Sequence, residues 1–369
     1  MSKVFKLGER LVGDGQACYV IAELSCNHEG DFDEAVRLVE EAAKAGADAI
    51  KTQTYTADTL TRNFGQRPAG TMWADIDLYS LYQKAATPQD WHQRLQRVAI
   101  AQGLDFFSSP FDETAVEHLA SLNVPAYKIA SFELVDYKLL QRVARQGRPV
   151  IISNGMTNYL ELDEALRVLR SNGARDVAVL HCNSGYPAAF EEANLETIPA
   201  LSEILEVVVG LSDHTLFADD VNFEVPLAHV TPFEAVRLGA KIVEVHLLLD
   251  RNRARERHRQ GVGGFDWAFS REPAELKRTV DLIRRFERGE QVEYATAVER
   301  AKAAATHGQV RFEPTEKELA SRRVRPSLWV VEDISEGEVF QFAGARRGNI
   351  DSIRPAGGLE IRFADFVDG

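Results

Sequence analysis

Two lysines of this sequence lie inside short apolar runs, where a charged side chain is unusual. Lys51 lies in the run Ala-Ile-Lys-Thr-Gln and Lys128 in the run Ala-Tyr-Lys-Ile-Ala. An ammonium group that is buried without an anion is strongly destabilising. We therefore interpret the pair as a site for a phosphate or a carboxylate, because each lysine has hydroxyl or amide side chains near it in the sequence. Ion pairs inside the protein and a Schiff-base lysine are the alternatives.

Two histidines, His214 and His246, end two other apolar runs. On neighbouring strands of a closed barrel, their imidazoles would be close enough to share a divalent metal ion. The carboxylates of Glu23 and Asp266 would complete the shell through water, and such a mixed set of ligands suits Mn²⁺ or Mg²⁺ better than a closed zinc site. A pair of hydrogen-bonded structural histidines is the alternative.

Polar residues also end the remaining apolar runs. A single serine or asparagine in such a position is commonly a turn or helix-cap residue. The repetition from run to run indicates a site, because the chemistry of a parallel barrel lies at the carboxyl ends of its strands. The residues in these positions are Glu23, Asn27, His28, Gln53, Ser108, Ser109, Ser131, Glu133, Ser153, Asn154, Ser184, Tyr186, Ser212 and Asp213.

Eight short apolar runs alternate with longer segments of helical period, and this alternation predicts the fold. Runs that are apolar throughout are typical of a parallel sheet buried on both faces. Eight strands in about 250 residues predict a (β/α)₈ TIM barrel. A doubly wound open sheet is the alternative, and it is disfavoured because no G-x-G-x-x-G motif follows the first strand. The predicted strands span residues 17–23, 47–53, 104–108, 126–130, 149–153, 177–181, 207–211 and 241–246.

Three further regions are predicted beside the strands and helices of the barrel. Residues 4–12, with a turn at 13–15, are expected to form a hairpin that closes the amino-terminal end of the barrel. The barrel domain is expected to span residues 1–288, followed by a charged, partly helical linker over residues 289–320. A small β-rich module over residues 321–369 is too short to be expected to fold without a barrel to pack on.

The composition excludes several classes of partner. The chain has 369 residues and a formal net charge of −13, so we expect neither nucleic acid nor a membrane surface as a partner. Three cysteines without a C-x-x-C pair indicate reduced thiols, and no apolar stretch is long enough for a secretion signal or a membrane span. We therefore expect a cytoplasmic protein that binds anions through a few local charges.

Several segments resemble the sialic acid synthase family, in order and over nearly the whole chain. Within that family the resemblance is strongest to the pseudaminic acid branch. The family carries an antifreeze-like (SAF) domain at its carboxyl terminus, which implies a shortened domain of that kind at residues 321–369. The matching segments are 22–28 (AELSCNH), 46–61 (GADAIKTQTYTADTLT), 107–112 (FSSPFD), 125–133 (PAYKIASFE), 210–215 (GLSDHT) and 327–334 (SLWVVEDI).

The resemblance implies a role for each matching residue. Glu23, Glu133 and Lys51 are implied in catalysis, with Glu133 as the proton-transfer group. His214 and His246 are implied as metal ligands. In a domain-swapped homodimer, the antifreeze-like domain would cap the partner's barrel and contribute Arg325. The implied contacts to phosphoenolpyruvate are Lys51, Ser109, Lys128, Ser131, Ser153 and Ser184, and the implied contacts to the sugar are Glu23, Gln53, Tyr186, Asp266 and Arg325.

The implied reaction is a metal-dependent condensation of phosphoenolpyruvate with 2,4-diacetamido-2,4,6-trideoxy-L-altrose, which releases phosphate. The alternatives are N-acetylmannosamine or a legionaminic acid precursor as the sugar, a Schiff-base aldolase, and a catalytically silent sugar-binding barrel. The chain departs from the family pattern at Asn154 and Phe265, and residues 217–223 form an insertion after His214.

Overall fold

The structure is a computed structural model, and it describes residues 3–216, 227–342 and 348–367. The insertion at residues 217–223 therefore lies outside the described residues. The chain begins with an antiparallel hairpin of β1 (Val4–Leu7) and β2 (Arg10–Gly13). The predicted hairpin is present, but the chain reverses at Gly8 and Glu9 rather than at residues 13–15, because Gly8 adopts the positive φ of 58° that the turn requires.

Eight parallel strands close into a barrel, which confirms the predicted TIM-barrel fold. Their order around the barrel follows the sequence, and the last strand pairs with the first. The predicted strand positions agree with the observed ones to within a few residues. The barrel strands are β3 (Tyr19–Glu23), β4 (Ala49–Thr54), β5 (Asp105–Pro110), β6 (Tyr127–Ile129), β7 (Val150–Ser153), β8 (Val177–Cys182), β9 (Val208–Asp213) and β10 (Ile242–His246).

Helices surround the barrel, and eight of the described ones bury apolar residues in the core that they share with the strands. The first of them shows how its ends are fixed: the Asp31 side chain accepts from the backbone N–H groups of Asp33 and Glu34, and Gly46 ends the helix at a φ of 88°. The helices are α1 (Phe32–Ala45), α2 (Ala57–Leu60), α3 (Leu78–Ala85), α4 (Trp91–Ala101), α5 (Glu113–Ser121), α6 (Tyr137–Ala144), α7 (Tyr159–Ser171), α8 (Thr197–Leu205), α9 (Val230–Arg237), α10 (Arg251–Arg259), α11 (Pro273–Glu287), α12 (Ala297–His307), α13 (Glu316–Arg322) and α14 (Ala364–Val367).

The amino-terminal hairpin lies at the end of the barrel where the strands begin. Arg10 donates to the carbonyl oxygen of Asp48 and to Asp105 Oδ2, both at 3.3 Å. Asp48 directly precedes β4, and Asp105 is the first residue of β5. The buried side chains of Phe5, Leu7 and Val12 belong to the main core. The hairpin thus closes one end of the barrel and leaves the opposite end for a site.

The carboxyl-terminal module consists of β11 (Ser327–Val330) and β12 (Ile350–Ile353), which pair antiparallel. It packs over the end of the barrel where the strands finish. The backbone N–H of Arg354 donates to the carbonyl oxygen of Leu60 (2.9 Å), and Ser352 Oγ donates to Asp136 Oδ2 (2.7 Å). In the segment predicted as a partly helical linker, α12 and α13 precede the module.

Within the described ranges, no helix has the length and apolar character that a membrane crossing requires.

We expect the substitution Gly210→Ala to destabilise the barrel. A Cβ atom at this position of β9 would collide with the carbonyl oxygen of Ile242 on the adjacent strand, and overpacking of this kind in a core costs about 3 kcal/mol. The control Gly147→Ala meets no neighbouring atom, and its positive φ of 66° predicts a loss of only about 1 kcal/mol. Urea unfolding of both variants measures the difference, and equal losses would contradict the steric explanation.

Candidate active site

A cavity of about 130 Å³ lies at the carboxyl ends of the barrel strands. Its floor is polar and comes from the barrel, whereas its outer part is apolar and comes largely from the segment between β4 and α4. The polar lining residues are Ser25, Lys51, Gln53, Ser109, Lys128, Ser131, Ser153, Ser212, His214, Glu244, His246, Asp266 and Arg354. The structure brings ten of the predicted site residues together around this cavity, namely Lys51, Gln53, Ser109, Lys128, Ser131, Ser153, Tyr186, His214, His246 and Asp266.

Strand register places the charged groups in one layer. Glu23 on β3 lies opposite Lys51 on β4, and on its other side opposite His246 on β10. Lys51 forms an ion pair with Glu23, and its Nζ donates to Ser109 Oγ at 3.2 Å. Burial lowers the pKa of Lys51, but the two nearby carboxylates of Glu23 and Glu244 outweigh this effect and raise the pKa above its ordinary value.

The second lysine shares a carboxylate with the first. Lys128 Nζ lies 3.3 Å from Glu244 Oε1, and Lys51 Nζ lies 3.7 Å from the same oxygen. Burial lowers the pKa of Lys128, although Glu244 opposes the shift. Burial raises the pKa of Glu244, but the two ammonium groups dominate and hold that pKa at about 2. Ion pairs inside the barrel, considered above as an alternative to anion binding, are therefore present, and both lysines also line the cavity.

The two histidines have one ring nitrogen each engaged by the protein. His214 Nδ1 lies 3.1 Å from the carbonyl oxygen of Asn183, and His246 Nδ1 lies 3.2 Å from Asp266 Oδ2. Because the carbonyl acceptor places the proton of His214 on Nδ1, its Nε2 is left as a lone-pair donor. His246 Nδ1 lies within ion-pair distance of Asp266 but forms no hydrogen bond among the described residues. Burial lowers the pKa of His214, which favours the neutral imidazole that binds metals. The ring centroids are 5.2 Å apart.

These donors fit a divalent metal ion that keeps open positions. In the part of the chain that the structure describes, no cluster of three or more His, Cys, Asp or Glu side chains is arranged to hold a metal ion. A metal at His214 and His246 would therefore take its other ligands from water or substrate.

The four serines predicted to contact the anion divide into two groups. Ser109, Ser131 and Ser153 line the cavity, and Ser153 Oγ is buried with no hydrogen-bond partner among the described residues. Such an unpaired donor suits a ligand that supplies an acceptor. Ser184 lies behind this lining. A Cβ atom at Gly155 would collide with its hydroxyl, so the glycine allows the loops after β7 and β8 to approach each other.

One carboxylate connects these two loops to the helix before the module. Glu318 on α13 is buried, and its Oε1 accepts from the backbone N–H groups of Met156 (2.7 Å) and Ser184 (2.8 Å). Its Oε2 accepts from the N–H of Thr315 at 2.8 Å. The loops that carry the serines are thus fixed by a residue from outside the barrel.

The arginine that lines the cavity of this chain is Arg354, whereas Arg325 was predicted to reach the cavity of a partner in a homodimer. Arg325 donates to Glu161 Oε1 (2.9 Å) and to the carbonyl oxygen of Met156 (2.7 Å), which holds it away from the cavity. Arg354 forms an ion pair with Glu133 and donates to the hydroxyl of Tyr82 at 2.9 Å. Both arginines lie in the segment predicted as the carboxyl-terminal module: Arg325 precedes β11, and Arg354 follows β12. A contact of Arg325 with a partner's site stays a prediction.

Two predicted carboxylates lie beside the cavity and not in its lining. Glu23 is fully buried behind Lys51, and Glu133 is buried behind Arg354. Sequence reasoning did not select Glu244, although the spacing in Glu244-Val-His246 gave a signal. Alternate residues of a strand point to the same side, so a carboxylate two residues before an inward histidine also points into the barrel.

Apolar and aromatic side chains form the outer part of the cavity, which we call the apolar recess. Within it, Trp73 Nε1 donates to the carbonyl oxygen of Phe265 (2.8 Å), and this bond fixes the loop that carries Asp266. The rings of Phe132 and Tyr186 stack with centroids 5.9 Å apart. The recess is lined by Cys26, Tyr55, Leu60, Pro68, Trp73, Leu78, Leu81, Tyr82, Ala85, Phe111, Phe132, Tyr186, Phe265 and Val324.

Arg271 fixes the loop that carries His214. It is 1% exposed and forms an ion pair with Asp213, and it donates to the carbonyl oxygens of Ala228 (3.0 Å) and Phe269 (3.2 Å). Asp213 Oδ1 in turn accepts from the backbone N–H of Thr215 at 2.9 Å. Since His214 lies between Asp213 and Thr215, this buried pair determines where the imidazole lies.

Comparisons with known proteins find relatives of this chain in sequence and in structure. Residues 38–292 match the NeuB family. The chain is 35% identical over 348 residues to the pseudaminic acid synthase of Campylobacter jejuni, covering 94% of this chain and 89% of that protein. It is 32% identical to the N,N'-diacetyllegionaminic acid synthase of the same species, with 94% of each chain covered. The crystal structure of the spore coat polysaccharide biosynthesis protein SpsE from Bacillus subtilis superimposes with a TM-score of 0.77 at 30% identity, covering 99% of this chain and 93% of that one.

We expect the substitution Arg271→Met to destabilise the protein by about 3–5 kcal/mol, because it leaves the buried carboxylate of Asp213 without its charge partner. The double variant Arg271→Met/Asp213→Asn removes that charge as well and should recover part of the loss. Urea unfolding of the single and double variants measures both values. A double variant no more stable than Arg271→Met would show that the ion pair is not the source of the effect.

Proposed function

The chain belongs to the NeuB family and is a nonulosonic acid synthase, and from this premise we propose that it condenses phosphoenolpyruvate with an open-chain diacetamido-trideoxy sugar. The observation that carries the proposal is the pair of buried lysines, which face one cavity together with two histidines and three of the predicted serines. An ammonium pair with directed hydroxyl donors suits a ligand that bears both phosphate and carboxylate.

Each group of residues has a part in the proposed reaction. Lys51 and Lys128 bind the anionic groups of phosphoenolpyruvate, and Ser109, Ser131 and Ser153 orient them. A divalent ion, Mn²⁺ or Mg²⁺, held by Nε2 of His214 and His246, would supply Lewis acidity toward the sugar aldehyde. Gln53, Tyr186 and Asp266 orient the sugar. Glu133, predicted as the proton-transfer group, lies outside the cavity lining, and we propose that it acts through Arg354, with which it forms an ion pair.

The bond changes follow from the two substrates. C3 of the enol attacks C1 of the aldehyde, and water adds at C2. The tetrahedral intermediate then loses phosphate by cleavage of the C–O bond. Glu23 acts through Lys51, whose charge it balances, since it lies behind that lysine.

The apolar recess supports the proposed sugar. The 2,4-diacetamido-2,4,6-trideoxy-L-altrose skeleton carries a methyl group at C6 and two acetyl methyl groups. Aromatic and aliphatic side chains such as Trp73 and Leu81 bury methyl groups favourably but leave a hydroxyl without a partner. The relation to a pseudaminic acid synthase agrees with this choice, and a legionaminic acid precursor is the second candidate because the chain is also similar to a legionaminic acid synthase.

We also propose a homodimer in which the carboxyl-terminal modules are exchanged. The module of the chain described here covers its own barrel through Arg354 and Ser352. Exchange between two copies would form the same contacts across an interface.

The direct test incubates the protein with Mn²⁺, phosphoenolpyruvate and the trideoxy altrose, and follows phosphate release and product mass. Lys51→Ala should lower turnover by about 100-fold or more, because a preorganised charge at the reacting anion is lost. Lys277→Ala is the control, since that lysine is exposed on α11 and pairs with Asp281. Wild-type protein that releases no phosphate with any candidate sugar would refute the proposed function, and normal turnover in Lys51→Ala would refute the role of the lysine.

The recess yields a prediction on selectivity. Leu81→Asn places an amide in the apolar recess and should lower kcat/KM for the trideoxy sugar by about 10–100-fold relative to the 6-hydroxy analogue. The ratio of the two kcat/KM values does not depend on the fraction of folded protein. Ile100→Asn, on the exposed face of α4, is the matched control. An unchanged ratio in Leu81→Asn would show that the recess does not select the deoxy end of the sugar.

A further inference from the structure

Glu244 is a buried carboxylate to which the reaction above gives no part. It lies on β10 and is 3% exposed, yet it lines the cavity. Its Oε1 accepts from Ser212 Oγ at 3.0 Å and contacts both lysines. Its Oε2 is buried without a hydrogen-bond partner among the described residues. A carboxylate in this place requires an explanation, because a site for an anion is expected to exclude other anions.

The surroundings of Glu244 form a balanced set of charges. The two ammonium groups of Lys51 and Lys128 are matched by the two carboxylates of Glu23 and Glu244. The carboxylates differ in position, since Glu23 lies outside the cavity lining whereas Glu244 belongs to it. Glu23 can therefore stay paired when a ligand arrives, but Glu244 lies where a ligand would contact the same ammonium groups.

An incoming phosphate or carboxylate must share the lysines with Glu244. An anion within hydrogen-bond distance of both Nζ atoms would come close to Glu244 Oε1, which is 3.3 Å from one of them and 3.7 Å from the other. Like charges at such distances repel strongly in a partly desolvated site. Glu244 therefore stabilises the charged form of the two lysines while no ligand is bound, and it lowers the affinity of the site for any anion that contacts them.

We infer that Glu244 is a built-in counter-anion of the two lysines, which keeps them charged and oriented in the empty site and limits the affinity for phosphate so that the product leaves. This inference rests on the proposed function for the identity of the product. Glu244 is a positioning residue, since it acts through the lysines.

The test measures binding of inorganic phosphate to the full chain by calorimetry in buffer that contains Mg²⁺. Glu244→Gln keeps the shape and the bond from Ser212 but removes the charge, so the dissociation constant for phosphate should fall by about tenfold or more. In turnover, KM for phosphoenolpyruvate and kcat should both fall, because phosphate leaves more slowly. The matched control is Ser212→Ala, which removes the hydrogen bond and leaves the carboxylate, and it should not tighten phosphate binding.

Two outcomes would overturn the inference: phosphate affinity unchanged or weaker in Glu244→Gln, or equal tightening in Ser212→Ala. If Glu244→Gln does not fold, Glu244→Asp withdraws the charge by one methylene and should tighten phosphate about threefold; unchanged or weaker binding there also overturns the inference. Because phosphate binding needs no sugar and no turnover, the inference can fail while the wild-type protein remains active. Conversely, if the wild-type protein does not catalyse the proposed reaction, the phosphate affinities of the variants can still be compared.

Discussion

The parallel register of the barrel strands determines where the charged groups that they carry lie in the site. Closure of the barrel brings β10 beside β3, so that His246, Glu23 and Lys51 occupy consecutive strands at one level. Each of these side chains is buried, and none would be stable there alone. These buried charges are stable because each has an oppositely charged or hydrogen-bonding neighbour on an adjacent strand. A slip of one residue in the register of any strand would turn its charged side chain toward the surrounding helices. The strand register is therefore required for the chemistry of the site as well as for the stability of the barrel.

Much of the fold could be predicted from the sequence because a buried parallel strand leaves a strong signal. Runs such as the one around Lys128 are apolar on both faces, and a polar residue within them is easily recognised. Lys51 and Lys128 were selected in this way, and both line the cavity. Glu244 shows the limit of the method, since a carboxylate among β-branched residues is equally compatible with the outer end of a strand. The spacing to His246 predicts only that it points inward, and its ionic partner is found through the contact with Lys128, 116 positions away in the sequence.

The arginine at the cavity could not be predicted for a different reason. Both Arg325 and Arg354 precede a proline, and the sequence does not distinguish them. The structure does so through their partners, because Glu161 engages one and Glu133 the other. The apolar recess was also missed, since many of its side chains come from α2, α3 and the loops around them, where an apolar residue normally indicates ordinary core packing. Such a residue lines a pocket only where no other side chain fills the space beside it in the fold, and the pattern of residues along the sequence does not show this.

The contacts of Glu318 have a consequence for protein engineering. This residue belongs to the helix that precedes the carboxyl-terminal module, yet it fixes the backbone of Met156 and Ser184 inside the barrel. A chimera that joins the barrel of one relative to the module of another at Arg325 would keep this contact within the barrel parent. A junction placed before Thr315 would take Glu318 from one parent and Met156 and Ser184 from the other. The loops after β7 and β8 would then be fixed by a helix from a different protein. The functional boundary of the synthase half of the molecule thus lies after α13.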